Sequence, residues 1–89
     1  MPVIKKGNCY MAPSADIIGD VTLDEDVNVW YHATIRADAD KVYIGKKSNI
    51  QDNCVIHVDE GYPVCIGDKV TVGHGAIIHG CEIDRKSVV

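Results

Sequence analysis

The 89-residue sequence has no surplus of basic charge: nine Lys and Arg stand against thirteen Asp and Glu, for a net charge of −4. Those cations are scattered and form no basic stripe of the kind that follows a nucleic-acid backbone, which excludes nucleic acid as an expected partner. Nowhere do about 18 apolar residues run together, the length a helix needs to cross a bilayer. The opening stretch, MPVIKKGNCYMAPSAD, lacks an apolar segment long enough for a signal peptide. The expected setting is therefore cytoplasmic, away from membranes. No CxxC pair occurs among Cys9, Cys54, Cys65 and Cys81. In a reducing compartment such cysteines are expected to be free thiols on strands or in the core. Finally, no segment carries a 3.6-residue apolar period, so almost no helix is predicted.

What the sequence does contain is a period of six. Large aliphatic residues recur as Ile17, Leu23, Val29 and Ile35, then Ile44, Ile50 and Ile56, then Ile66, Val72 and Ile78. A second series runs two positions earlier: Ala15, Val21, Val27 and Ala33, then Val42, Ser48 and Cys54, then Val64, Val70 and Ala76. Each repeat thus supplies one small and one large inward residue on a short strand. Period six fits neither a helix nor an ordinary strand and points to an all-β, parallel β-helix of hexapeptide repeats. Residues 1–89 read as one domain, with coils over 15–89 and a lead-in over 1–14. Gly and Asp recur in IGDV, IGKK, IGDK and VGHG, where sharp turns with positive φ are expected of the glycines.

Three breaks interrupt the period: extra residues near ADADK (37–41), an insertion around DEGYP (59–63), and one residue missing between Ile78 and Ile83. Insertions of this type are expected to form surface loops. If three hexapeptides make one triangular coil, Ile35, Ile56 and Ile78 share one stack, Val29, Ile50 and Val72 a second, and Ile44 and Ile66 a third. Arg36, His57 and His79, each immediately after a member of the first stack, should then line one edge. Successive rungs of a parallel sheet are roughly 4.8 Å apart, so His57 and His79 can reach one metal ion. His74 falls two residues after Val72, stacked with Tyr31 and Asp52, and so points from another edge. Packing of identical prisms around a threefold axis would bring that edge against the His57–His79 edge of a neighbour. His32, in WYHAT, stands apart and reads as an exposed turn or a subunit contact.

The segments APSADIIGDV, VWYHATIRAD, SNIQDNCVIHVD and IGDKVTVGHGAIIHGC together resemble the γ-class carbonic anhydrase family over nearly the whole chain. The resemblance implies a left-handed β-helix, a homotrimer, and a metal ion held at each subunit interface by three histidines. Carried onto this sequence, the ligands are His57 and His79 from one chain and His74 from the next. Three imidazoles suit Zn²⁺, and Fe²⁺ or Co²⁺ as well. The implied reaction is reversible hydration of CO₂ to bicarbonate, by metal-hydroxide attack on a small-molecule substrate. The family pattern also places Arg36 and Asp38 in an interface ion pair and Gln51 and Asp52 beside the metal. Gln51 can donate and accept, as a residue orienting substrate oxygen must, whereas Asp52 is expected to brace a neighbouring side chain. Glu60, three residues after His57, matches by position a glutamate that carries protons away from the site.

Two departures from the family pattern bear on function. An early acidic loop is absent, and RADADKVY offers only Asp38 and Asp40 in its place. Ile83 and Val89 keep the six-residue beat to the final residue, whereas family members continue for several coils and then fold a helix back along the prism. The expectation is a truncated solenoid whose last rung has unpaired backbone groups. Two other functions fit the repeat: a CoA-dependent acyltransferase, which typically uses one catalytic histidine and no metal, and a metal-binding trimer with little or no turnover.

Overall fold

The computed structural model describes residues 3–80 and 82–83. Eleven strands follow in chain order: β1 (Ile4–Lys5), β2 (Tyr10–Met11), β3 (Asp16–Leu23), β4 (Asn28–Val29), β5 (Thr34–Ile44), β6 (Asn49–Ile50), β7 (Val55–His57), β8 (Val64–Ile66), β9 (Thr71–Val72), β10 (Ile77–His79) and β11 (Glu82–Ile83). All pairings between them are parallel. No helix is present among the described residues, and hence none long and apolar enough to cross a membrane.

The pairing register defines three faces of a β-solenoid. On the first, Ile17, Ile35, Ile56 and Ile78 lie over one another through β3, β5, β7 and β10. The second aligns Leu23, Ile44, Ile66 and Ile83 through β3, β5, β8 and β11. A third aligns Met11, Val29, Ile50 and Val72 through β2, β4, β6 and β9. These are the three stacks read from the period of six, and most of their members are fully buried. The rungs also extend before Ala15, since β1 pairs with β3 and β2 with β4. Cys81 and the beat out to Val89 lie outside the described residues.

The small inward positions close the core. Ser48, fully buried, is satisfied on both sides: its hydroxyl donates to Gly67 O at 2.8 Å and accepts from Val70 N at 3.1 Å. The buried Cys54 thiol donates to Gly73 O at 2.8 Å, and burial pushes its pKa up. Cys9, Cys54 and Cys65 are free thiols, as expected.

Two sequence expectations give way. The stretch 37–41 was expected to loop out; instead it stays within β5, an 11-residue strand that, like β3, runs across two faces. The extra residues are taken up by a bulge, with Asp20 alone on β3 opposite Asp38 to Lys41 on β5. Gly19 makes this possible: its φ is 90°, and a Cβ there would stand 2.2 Å from Ala37 O. The second correction concerns the turns. Gly19 of IGDV and Gly75 of VGHG take the positive φ expected of them, but Gly45 does not, and at the turns non-glycine residues such as Asp26, His32, Lys47, Asn53 and Lys69 are also left-handed. Gly45 is needed for space, because a Cβ would lie 2.5 Å from the Gly67 carbonyl carbon.

One polar pair clasps the second face. Tyr43 donates its hydroxyl to Asp24 Oδ2 at 2.5 Å, while Asp24 Oδ1 accepts from Glu25 N at 2.8 Å. The two donors hold the Asp24 carboxyl below its ordinary value. The same contact, with burial, pushes the Tyr43 phenol up to about 12. A depressed carboxyl stabilises the fold above its unfolded pKa of about 3.9, and that contribution is lost as pH falls through the lower folded value. A raised phenol acts in reverse: its contribution is complete below about pH 10 and lost as pH rises toward 12. Tyr43→Phe should therefore unfold at a lower denaturant concentration than the parent at pH 7. The gap between them should shrink below pH 4 and above pH 10, as followed by circular dichroism in urea. A gap that stays constant across that range would show that the pair contributes no pH-dependent stability.

Candidate metal centre

The first-face ladder continues one residue past its isoleucines. Arg36 on β5 is in register with His57 on β7, and His57 with His79 on β10. Because strand residues alternate in direction, the neighbours of buried Ile35, Ile56 and Ile78 must point outward. The imidazoles of His57 and His79 consequently stack, with ring centroids 5.1 Å apart and planes inclined by 22°.

Charged groups flank the pair. Arg36 Nη2 lies 2.7 Å from His57 Nε2, and Arg36 Nε lies 3.3 Å from Asp38 Oδ2. A guanidinium has no acceptor, so it donates to a bare Nε2 and the neutral His57 ring carries its hydrogen on Nδ1. On the other side His79 Nε2 meets Asp59 Oδ2 at 2.8 Å. Asp59 is held by a tight turn in which Tyr62 N donates to Asp59 O at 2.9 Å. That turn is tied to β5 by Gly61 N, which donates to Asp40 Oδ2 at 3.0 Å. An open cleft of about 190 Å³ follows, lined by Asp59, Tyr62, His79 and Gly80. Gly80 is glycine for cause: its φ is 49°, and a Cβ would approach Tyr62 Cβ to 2.9 Å.

Ligand atoms of His57, Asp59 and His79 all lie within 4.8 Å of one another. Two donors bound to zinc at about 2.1 Å can stand no more than about 4.2 Å apart, so modest side-chain rotation brings the set into range. Two imidazoles and a carboxylate are the donors that borderline divalent metals take, and the residues present fit such an ion.

Of the residues singled out from sequence, Arg36, Asp38, His57 and His79 come together on this edge. Gln51, Asp52 and His74 do not join them; they lie between the third and first faces, where Gln51 N donates to Val72 O and Gly75 N to Asp52 O, each at 3.0 Å. His74 is exposed there. Glu60 is exposed in the turn between Asp59 and Tyr62. His32 is an exposed turn residue with φ 58°. Asp59 was missed in the sequence, although its spacing two residues beyond His57 puts both on one face of an extended strand.

A hexapeptide-repeat β-solenoid with stacked edge histidines is the class that this fold and site define, and similar proteins carry names of that kind. The chain is 54% identical over 82 residues to a probable carbonic anhydrase of Methanocaldococcus jannaschii, covering 92% of this chain and 52% of that protein. It is 37% identical over 94 residues to gamma carbonic anhydrase 1, mitochondrial, of Arabidopsis thaliana, covering 99% of this chain and 34% of that one. Among solved structures it matches a hexapeptide transferase family protein from Anaplasma phagocytophilum with a TM-score of 0.85 and 38% identity, covering 90% of this chain and 46% of that chain. No protein-family model matches. The chain is thus γ-class carbonic anhydrase-like over most of its length, and it spans about half or less of the relatives it matches.

The donor geometry at His57 can be checked directly. In chelator-treated protein, with the imidazole neutral, nitrogen-15 NMR should find the His57 hydrogen on Nδ1, and Arg36→Met should remove that preference. A parent His57 protonated at Nε2 would contradict the Arg36 contact.

Proposed function

We propose that the chain is a subunit of a γ-type carbonic anhydrase-like homotrimer that hydrates CO₂ reversibly. In this reading His57 and His79 of one chain and His74 of the next hold a divalent metal, Zn²⁺ with Fe²⁺ or Co²⁺ as alternatives. The observation that carries it is the in-register stack of His57 on His79, with His74 on a different edge of the same chain. A convex coil directs its edges apart, so the edges meet only when two copies pack together.

Zinc in a three-histidine set supplies a Lewis acid and a nucleophile at neutral pH. The chain's own residues do the rest. Gln51, with an amide that both donates and accepts, orients substrate oxygen. Asp52 braces the corner that carries His74. Glu60, exposed in the turn next to the cleft, hands protons to solvent, with Asp38 and Asp40 as further acidic groups on β5. Arg36 and Asp38 tie neighbouring subunits. The cytoplasm is the compartment we assign.

The transferase name of the similar solved structure favours a second reading, a CoA-dependent acyltransferase. That activity would depend on one histidine and survive chelation.

Complementation tests the divided site. His57→Ala and His74→Ala homotrimers should each lose CO₂ hydration, measured by stopped-flow with a pH indicator, by at least about a hundredfold. In any mixed ring of three, one interface joins an intact His57 to an intact His74. Co-expressed chains should therefore recover up to about a third of the parent rate. Verified mixed trimers that remain at the single-variant level would refute the placement of His74.

A further inference from the structure

We infer that a single chain is already a divalent-metal site, formed by His57, His79 and Asp59, so that the ion can be held before a partner supplies His74. This rests on the reading of His57 and His79 as metal ligands and goes beyond it by adding a carboxylate that the sequence patterns do not include. Three features carry it. The two rings stack across one rung, 5.1 Å between centroids, with donor atoms of all three residues within 4.8 Å of one another. Asp59 reaches the stack through the local chain: it lies two residues beyond the end of β7, and the Tyr62 N to Asp59 O bond then turns the chain back. Its position does not depend on a partner, because Gly61 N anchors the turn to Asp40 within the same chain.

Two imidazoles and one carboxylate, with positions left open, form the set that Fe²⁺ takes in non-haem sites, and Zn²⁺ and Co²⁺ accept the same donors. The cleft beside Asp59 and His79 is bounded by Tyr62 and Gly80. An ordinary surface ion pair between Asp59 and His79 would need neither His57 in register nor the anchored turn, and such pairs contribute little when exposed. In the assembled site His74 takes over from Asp59 as third ligand. The carboxylate therefore matters most in the chain that lacks a partner histidine.

Cobalt serves as the probe, read by its visible d–d absorption and by equilibrium dialysis on the full chain. His74→Ala should bind about one Co²⁺ per chain, more weakly than the parent. Asp59→Asn in that background should weaken binding by a further tenfold or more. Both positions are exposed, and circular dichroism on each variant is the check that its β structure is kept. A His74→Ala chain that takes up no Co²⁺, or one indifferent to Asp59→Asn, overturns the single-chain site while leaving the three-histidine interface standing. Equal Co²⁺ affinity in the parent and in His74→Ala, with both lost on Asp59→Asn, upholds the single-chain site and removes the interface one.

Discussion

Amide-to-carbonyl bonds running along the solenoid axis, such as Asp16 N to Ala33 O, Thr34 N to Cys54 O and Val55 N to Ala76 O at 2.8–2.9 Å, hold each rung directly over the next. Because the register is parallel and each coil repeats the same small-and-large inward pair, a residue's position in the period decides both its depth and its neighbours. Ile35, Ile56 and Ile78 bury as a column, and a slip of one residue would turn that column outward and bring Arg36, His57 and His79 inside. Aliphatic burial and the histidine edge are therefore one constraint. The hydrophobic core selects the register, and the register places the imidazoles.

Turns must also repeat at the same height, or the ladder would shear. Asn53 N donates to Tyr31 O and Gly75 N to Asp52 O, both at 3.0 Å, so the corner carrying His74 is itself a stack. Asn and Gly accept the left-handed backbone there with little strain; Lys47 and Lys69 adopt it at another corner with no such advantage. At the lysine corners the rungs on either side prescribe the conformation. Lys69 N donates to Lys46 O at 2.8 Å and Lys47 N to Glu25 O at 2.9 Å.

This division explains what the sequence made legible. The period of six is a property of burial, which residue type reports well, so the three stacks and the shared edge of Arg36, His57 and His79 could be read from the aliphatic pattern alone. The turn conformations could not, because spatial neighbours outweigh local preference at Lys47 and Lys69, and because Gly45 answers to the Gly67 backbone one coil away. Asp38 to Lys41 disturbed the period and so looked like a loop. Nothing in their composition shows that Gly19, one coil earlier, opens a bulge that absorbs them. Asp59 was hidden for a similar reason: it begins an insertion, where the period stops, although buried and outward residues still alternate from Ile56 to Asp59 past the end of the strand.

The histidine edge also has to manage its own charge. Register stacks a guanidinium and two ionisable rings one above another, and cations at such spacing repel. A carboxylate stands two residues beyond Arg36, as Asp38, and two beyond His57, as Asp59, each brought to the same side by strand alternation. Asp38 pairs with the guanidinium at 3.3 Å and Asp59 with the upper ring at 2.8 Å, while Arg36 presents its N–H to the lone pair of the lower ring. The same repeat that stacks the guanidinium and the rings thus also supplies a carboxylate beside each end of the stack. It leaves two imidazoles and a carboxylate converging at the edge of a rigid ladder, where a divalent cation would take the His57 lone pair in place of Arg36.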